Sequence, residues 1–314
     1  MEQTDILIIG AGPAGLCAAQ YGARAGLRTL ALEAVQAGGQ ALNIEALENY
    51  PGRRVVTAGR ELVAEMREQA LDFGAVLLEK EAVSLALETA GGRRFCAALA
   101  DGGGVRAKAV IVCAGAKPRE LGVPGEHALA GAGVSYCAAC DGPFFKGKKI
   151  IVAGGGDAAC DEARQLARIS PHITLVHRRG QLRAQKAVAA RVLEHPAITV
   201  RLNTAIKEIR GEGRVRSVLL ENTENGLVTE EEAAAVFVFA GYTPRNGLVT
   251  GAALAEKPRL DADGFVVTGQ DMASSVAGLF CAGDLRASPF RQIVVAAAEG
   301  AIAAHSAAEY IAAL

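Results

Sequence analysis

The sequence predicts an α/β fold of two three-layer domains, each wound around a parallel sheet. Three observations carry this. Two glycine-rich loops occur in one chain, Gly10-Ala11-Gly12-Pro13-Ala14-Gly15 and Gly154-Gly155-Gly156-Asp157-Ala158-Ala159. Each leaves an apolar run that reads as a buried parallel strand, Ile6-Leu7-Ile8-Ile9 or Ile150-Ile151-Val152-Ala153, and enters an Ala-rich helix. A second strand follows each helix, at Thr29-Leu30-Ala31-Leu32 and at Thr174-Leu175-Val176, so the βαβ pattern is completed twice. Glycine lets the backbone turn sharply and approach a pyrophosphate, whose charge then meets a helix N-terminus. Two Rossmann-like dinucleotide-binding domains are therefore expected, with Gly10, Gly12, Pro13, Ala14 and Gly15 at one ligand and Gly154, Gly156, Asp157 and Ala158 at the other.

The residue ending each second strand separates the two sites. Glu33 lies 33 − 10 = 23 positions after the first opening glycine. A carboxylate there accepts hydrogen bonds from both ribose hydroxyls and repels a 2′-phosphate. The same offset from the second loop, 177 − 154 = 23, lands on His177, followed by Arg178, Arg179 and Arg183. Guanidinium forks pair with phosphate oxygens in a bidentate way, so the second site should prefer NADP(H). The first should hold FAD or another dinucleotide with a free ribose.

Length and composition fit. A chain of 314 residues is long enough for two domains, and 51% hydrophobic content with 4% aromatics and no Trp suits an Ala/Val/Leu/Ile-rich α/β protein. A net charge of −1 makes no electrostatic case for nucleic acid or an anionic membrane. Met1-Glu2-Gln3-Thr4-Asp5 lacks the basic start of a signal peptide, and no apolar run approaches the roughly 18 to 20 residues that span a bilayer. A cytoplasmic protein is expected. Gly91-Gly92 and Gly102-Gly103-Gly104 read as turns of a β-excursion in the first domain.

Seven cysteines, at 17, 96, 113, 137, 140, 160 and 281, argue against a secreted disulfide framework. Five read as small buried apolar residues. The remaining pair forms Cys137-Ala138-Ala139-Cys140-Asp141, flanked by Gly133 and Gly142-Pro143, which predicts an accessible turn or helix start. Zinc would need a second ligand pair, and the sequence has no other CxxC or closely spaced His pair. Redox chemistry is the better reading, because two thiols at this spacing close a small disulfide and a thiolate gains from a helix N-terminus. Asp141 is a candidate acid/base, with an ordinary exposed turn aspartate as the alternative.

Further motifs follow in order: Gly38-Gly39-Gln40, Glu48-Asn49-Tyr50-Pro51-Gly52, Ala114-Gly115-Ala116-Lys117-Pro118-Arg119, Leu121-Gly122-Val123-Pro124-Gly125-Glu126, Gly241-Tyr242-Thr243-Pro244, Ala282-Gly283-Asp284 and Arg291-Gln292. With the loops, the CxxC and the basic cluster, they make the chain resemble the bacterial low-molecular-weight thioredoxin reductases over essentially its whole length. The resemblance implies that Gly39, Gln40, Asn49, Gly283, Asp284, Arg291 and Gln292 contact FAD. It implies that Arg178, Arg179 and Arg183 hold the NADPH phosphate and that Cys137 and Cys140 are the redox-active disulfide, in a homodimer. Cys140 is then the thiol facing the flavin, Cys137 attacks the partner's disulfide and Asp141 manages the proton. Elementary chemistry supports part of this. A strand at Leu279-Phe280-Cys281-Ala282 ending in Gly283-Asp284 offers a carboxylate to a ribityl chain. A closing helix over 293–304, interrupted at Glu299-Gly300, would bring its N-terminus, Arg291 and Gln292 to negative charge on a reduced flavin. Ala158 stands where the family often has Ser or Thr, Asp157 places a negative charge near the pyrophosphate, and Cys160 reads as packing.

The segment order predicts residues 1–116 and 246–314 as the FAD domain and 117–245 as the inserted NADPH domain, with hinges at 115–118 and 241–247. Nicotinamide and CxxC share the inserted domain and both need the flavin, so that domain is expected to turn about its connections. The implied reaction carries electrons from NADPH to FAD, to the Cys137–Cys140 disulfide and on to thioredoxin or a thioredoxin-like protein. A same-fold enzyme with another donor or acceptor, such as a ferredoxin-driven reductase or a dithiol oxidase, is one alternative; a non-enzymatic flavin redox sensor is the other.

Overall fold

The computed structural model describes residues 1–44, 47–89 and 92–314; Gly91 of the expected Gly91-Gly92 turn lies outside them. The chain divides into two compact units, Met1–Lys117 with Thr243–Leu314, and Pro118–Tyr242. The first unit begins β1 (Glu2–Ile9), α1 (Pro13–Arg24), β2 (Thr29–Glu33), α2 (Gly59–Asp72), β3 (Val76–Glu79), β4 (Ala82–Glu88), β5 (Arg94–Leu99) and β6 (Gly104–Val112), and ends in β7 (Ala116–Pro118). The second runs β8 (Val134–Ser135), α3 (Ala138–Asp141), β9 (Ile150–Gly154), α4 (Asp157–Ala167), β10 (Ile173–Val176), α5 (Lys186–Leu193), β11 (Ile198–Arg201), β12 (Thr204–Arg210), β13 (Ser217–Asn222), β14 (Val228–Glu232), β15 (Ala235–Phe239) and β16 (Tyr242–Pro244). The chain then returns to the first unit as α6 (Gly247–Thr250), β17 (Leu279–Cys281) and α7 (Ile293–Ala312).

Both units repeat one strand order. In the first, β3-β2-β1-β6 are parallel neighbours and β17 continues on the far side of β6; in the second the order is β11-β10-β9-β15-β8. Alternate side chains of β1 explain the layering. Ile6 and Ile8 pack with Ala14 and Ala18 of α1 and with Ala303 and Ala307 of α7. Leu7 and Ile9 point the other way, onto Leu85 and Phe95 of the antiparallel β4–β5 excursion. Strands covered on both faces must be apolar throughout, which is why this run shows no polar alternation. The second unit repeats the scheme: Ile150 and Val152 pack on α4, and Ile151 and Ala153 on the antiparallel β12-β13-β14 sheet.

Two expectations are corrected. The closing helix is uninterrupted at Glu299-Gly300 and runs twenty residues, to Ala312. Gly300 sits where α7 meets α1, and a Cβ there would come within 2.1 Å of the Ala14 carbonyl oxygen, so glycine serves helix–helix approach without breaking the helix. The Glu299 side chain is buried and bonded, as described below. The unit boundaries fall at 117/118 and 242/243, in place of 116/117 and 245/246, because β7 and β16 pair as a two-stranded ribbon that carries both crossings. Among the described residues no helix is long and apolar enough to cross a membrane, and no group of three or more His, Cys, Asp or Glu is arranged to hold a metal.

Candidate active site

The first glycine loop joins β1 to α1. Gly10 has φ +98°, and a Cβ there would meet the Cys113 carbonyl oxygen at 2.4 Å, so only glycine can make this turn beside the end of β6. Gly12 is the N-cap of α1 and Pro13 its first residue, where the missing N–H costs nothing. Glu33 closes β2, and its Oε2 accepts the Ala11 N–H at 2.8 Å while Oε1 accepts that of Val35 at 3.2 Å. Each oxygen keeps a further lone pair for a hydroxyl donor.

Around that loop the structure gathers most of the other residues expected at the first ligand. Gly39 and Gln40 open a short 3₁₀ turn, Gly39 lies against Gly12, and Gln40 Nε2 donates to the Ala116 carbonyl at 3.0 Å. Asn49 Nδ2 donates to Gln292 Oε1 at 3.0 Å, which joins two positions 243 residues apart in sequence at the N-terminus of α7. Asp284 sits in the 3₁₀ turn after β17; burial raises the pKa of its carboxyl, and Arg291 partly counteracts this. Arg291 lies over the Phe265 ring at 4.0 Å, and its buried Nε has no hydrogen-bond partner among the described residues. A half-buried carboxyl, a buried guanidinium nitrogen and an open helix N-terminus are what a polar, anionic cofactor would satisfy.

The second glycine loop joins β9 to α4. Nothing lies within 4 Å of where a Cβ on Gly156 would stand, so the space at the α4 N-terminus is open to a phosphate. His177 is buried beneath this loop, and its ring is so close to Gly155 that a Cβ there would meet Nδ1 at 2.3 Å. Burial first, and then Arg183, Arg179 and Arg178, lower the pKa of His177, and its Nε2 has no partner among the described residues. His177 is thus a floor for the loop, whereas Arg178, Arg179 and Arg183 are exposed and pair with no carboxylate among the described residues. Ala158 is exposed in the first turn of α4, and the Asp157 carboxylate accepts hydrogen bonds from Gln185.

Cys137 and Cys140 form a disulfide with a Cα–Cα distance of 5.4 Å. Cys137 is the N-cap of α3, and its Sγ accepts the Cys140 N–H at 3.2 Å. Asp141 ends the same turn, its N–H bonded to the Cys137 carbonyl at 3.2 Å. The other five cysteines are buried and unpaired; burial pushes Cys17 and Cys160 up to about 11, and Cys281 up to about 12. They are inert packing residues, and the only exchangeable sulfur chemistry is at the CxxC.

Sequence reasoning missed the residues that hold this site. Ser135, at the end of β8, accepts the Cys137 N–H at 3.1 Å and donates to the Cys137 carbonyl at 3.3 Å. Glu126 is fully buried, accepting from Leu121 N, Gly122 N and Tyr136 Oη at 2.7 to 2.8 Å, so it ties the residue before Cys137 to the turn after the crossing. Glu299 accepts the Gly283 N–H at 2.8 Å and pairs with Arg286 behind the Asp284 turn. Glu126 lay inside a quoted motif, but only the fold shows its partners.

The comparisons agree with this geometry. The family model for pyridine nucleotide-disulphide oxidoreductase matches residues 4–300. Thioredoxin reductase of Treponema pallidum is 48% identical over 308 residues, covering 98% of this chain and 97% of the relative. Thioredoxin reductase of Bacillus subtilis is 41% identical over 308 residues, covering 98% and 94%. The crystal structure of Lactococcus lactis thioredoxin reductase superposes with a TM-score of 0.93 at 35% identity, over 99% of this chain and all of that one. With two glycine loops on twin parallel sheets and a CxxC disulfide in the second, the chain belongs to the pyridine nucleotide-disulphide oxidoreductase family and, within it, to the low-molecular-weight thioredoxin reductases.

Proposed function

We propose that this protein is an NADPH-dependent thioredoxin-disulfide reductase that works as a cytoplasmic homodimer, with FAD in the first unit and NADPH in the second. The observation that carries the reading is the contrast between two matched strand ends: Glu33 at the first loop, and His177 with three exposed arginines at the second. Glu33, Gly39, Gln40, Asn49, Asp284, Arg291 and Gln292 surround the first loop and would hold FAD there. Arg178, Arg179 and Arg183 would take the 2′-phosphate of NADPH, while Gly154 and Gly156 admit its pyrophosphate and His177 supports the loop from below.

When bound, the flavin supplies the carrier through which the nicotinamide's electron pair reaches the protein's disulfide. The chain then performs the exchange itself. Two electrons and two protons convert Cys137–Cys140 to a pair of thiols. Cys137, as thiolate, attacks one sulfur of the thioredoxin disulfide; a mixed disulfide forms and the other thioredoxin sulfur leaves as a thiolate. Cys140 displaces the second thioredoxin thiol and closes the ring again. Asp141, next to Cys140, would pass protons to and from the sulfurs. The α3 turn would favour the Cys137 thiolate because the Cys140 N–H donates to that sulfur at 3.2 Å.

The test is steady-state oxidation of NADPH by FAD-loaded protein with one thioredoxin as acceptor. The reading expects turnover that requires thioredoxin and both cysteines. Turnover driven by reduced ferredoxin but not by NADPH, rapid oxygen consumption without thioredoxin, or no turnover with any disulfide would reject it in favour of another donor, an oxidase or a sensor.

A further inference from the structure

The arginines proposed to hold the 2′-phosphate sit on residues 177–185, a stretch with neither helix nor strand between β10 and α5. Its shape must be held by other contacts. The first half is fixed through its carbonyls: Asn203 N donates to that of Arg179 at 3.1 Å, and Thr223 Oγ1 to that of Arg178 at 3.1 Å. The second half is fixed by the glycine loop. The Gly155 carbonyl accepts from Arg183 N at 2.6 Å and from Ala184 N at 3.1 Å. The next N–H, that of Gln185, donates to Asp157 Oδ1 at 2.7 Å, and the Gln185 side-chain amide donates to Asp157 Oδ2 at 2.8 Å. Three consecutive N–H groups thus face the loop, and both oxygens of a carboxylate in the first turn of α4 are spent on one residue.

We infer that Asp157 and Gln185 are positioning residues that set the preference for NADPH over NADH, by locking the backbone of Arg183 to the loop that receives the pyrophosphate. The inference rests on the reading that the three arginines take the 2′-phosphate. Arg183 carries its charge on a long, flexible stem, and a guanidinium pairs well with phosphate only when its fork is presented at a fixed distance. With both ends of the clamp closed, the spacing between pyrophosphate and 2′-phosphate sites is set before ligand arrives, so less ordering is left for binding. The clamp also gives Asp157 a purpose. Its oxygens face Gln185, so a charge that would oppose the pyrophosphate is turned toward the segment bearing the arginines. A simple cap for α5 would use the same Asp157–Gln185 bonds, but a cap is indifferent to which nicotinamide dinucleotide is bound.

The test is steady-state kinetics of the FAD-loaded enzyme with NADPH and NADH, for Gln185→Ala, for Arg183→Ala, for the two together, and for the exchanged pair Asp157→Asn with Gln185→Glu. Gln185 is exposed, so its truncation leaves the fold intact. Loss of the clamp should raise KM for NADPH about fivefold, the usual worth of a lost hydrogen-bonded contact, and leave kcat and KM for NADH within about twofold. Gln185→Ala should add little in the Arg183→Ala background, and the exchanged pair, which keeps an acceptor for the backbone N–H of residue 185 and reverses donor and acceptor in the side-chain bond, should restore KM for NADPH. If Arg183→Ala raises KM for NADPH while Gln185→Ala does not, or if Gln185→Ala raises KM for both cofactors equally, the clamp has no positioning role although the phosphate reading stands. If Arg183→Ala itself leaves KM for NADPH unchanged, the phosphate reading fails and the inference falls with it.

Discussion

Replacing Glu299 tests how the fold supports the first dinucleotide site. Its side chain is 7% exposed and that of its partner Arg286 is 15% exposed, so this is a buried ion pair. The other Glu299 oxygen accepts the Gly283 N–H at 2.8 Å, and the Arg286 guanidinium also donates from Nε to Thr268 Oγ1 at 2.9 Å. Glu299→Ala strands a buried guanidinium and orphans a buried backbone N–H. Breaking a buried pair by removing one partner costs about 3 to 5 kcal/mol, and the lost N–H contact lies within that figure. Glu299→Gln keeps an acceptor for Gly283 and should cost about half as much. Glu299→Met combined with Arg286→Met should recover most of the loss, because no charge is left unpaired. A chain of two units does not yield one well-defined unfolding free energy, so the assays are local: hydrogen exchange at Gly283 to Leu285, and FAD affinity. Exchange there should accelerate, and FAD should bind at least about tenfold more weakly, a penalty near 1.4 kcal/mol from a misplaced Asp284 turn. Unchanged exchange and unchanged FAD affinity in Glu299→Ala would refute the reasoning, as would a paired Met variant no better than the single Ala.

Other outcomes follow from the same structure. Arg178→Ala or Arg179→Ala should weaken NADPH binding by roughly 1.5 to 3 kcal/mol, the range for hydrogen bonds to charged groups, with little change for NADH; equal losses would reject the phosphate site. Reduced Cys140→Ser should accumulate a mixed disulfide between Cys137 and thioredoxin, seen on a non-reducing gel, whereas Cys137→Ser should not; the reverse pattern would exchange the two roles. Asp5 is mostly buried, which alone would raise its pKa, but hydrogen bonds from Lys108 and Arg28 hold it at about 2 against an ordinary 3.8. Its contribution of roughly 2 kcal/mol is therefore full above pH 3.8 and lost as pH falls through about 2, so Asp5→Asn should destabilise the protein at pH 6 and make little difference below pH 2. His177, held neutral by burial and three arginines, should make the second unit less stable as pH falls below its ordinary 6.5, a loss that His177→Gln should blunt in thermal melts.

What was legible in the sequence follows from what local pattern can encode. A buried strand, a glycine turn and a helix start each have a short-range signature, so both βαβ units and their loops could be placed from residues alone. The strand-end contrast between Glu33 and His177 is likewise a matter of fixed spacing. The supporting contacts have no such signature. Ser135 to Cys137, Glu126 to Tyr136, Asp157 to Gln185 and Glu299 to Gly283 are side-chain bonds to targets set by tertiary packing, and 28 residues separate Asp157 from Gln185. Glu299-Gly300 shows the cost of local reading. A charged residue and a glycine in an apolar run look like a break, yet one is a buried ion-pair partner and the other the contact point of α7 with α1. His177 was grouped by sequence with the exposed arginines, whereas the fold turns its ring under Gly155.

The central claim is that electrons from NADPH arrive at one pair of sulfurs, and thiol mapping tests it most directly. FAD-loaded protein is treated anaerobically with NADPH, quenched with an alkylating reagent and read by peptide mass spectrometry, with and without oxidised thioredoxin. Cys137 and Cys140 should become labelled only after NADPH is added and lose that label when oxidised thioredoxin follows, while buried Cys17, Cys96, Cys113, Cys160 and Cys281 stay unlabelled throughout. Labelling of Cys137 and Cys140 that is independent of NADPH, or that persists in the presence of oxidised thioredoxin, would contradict it.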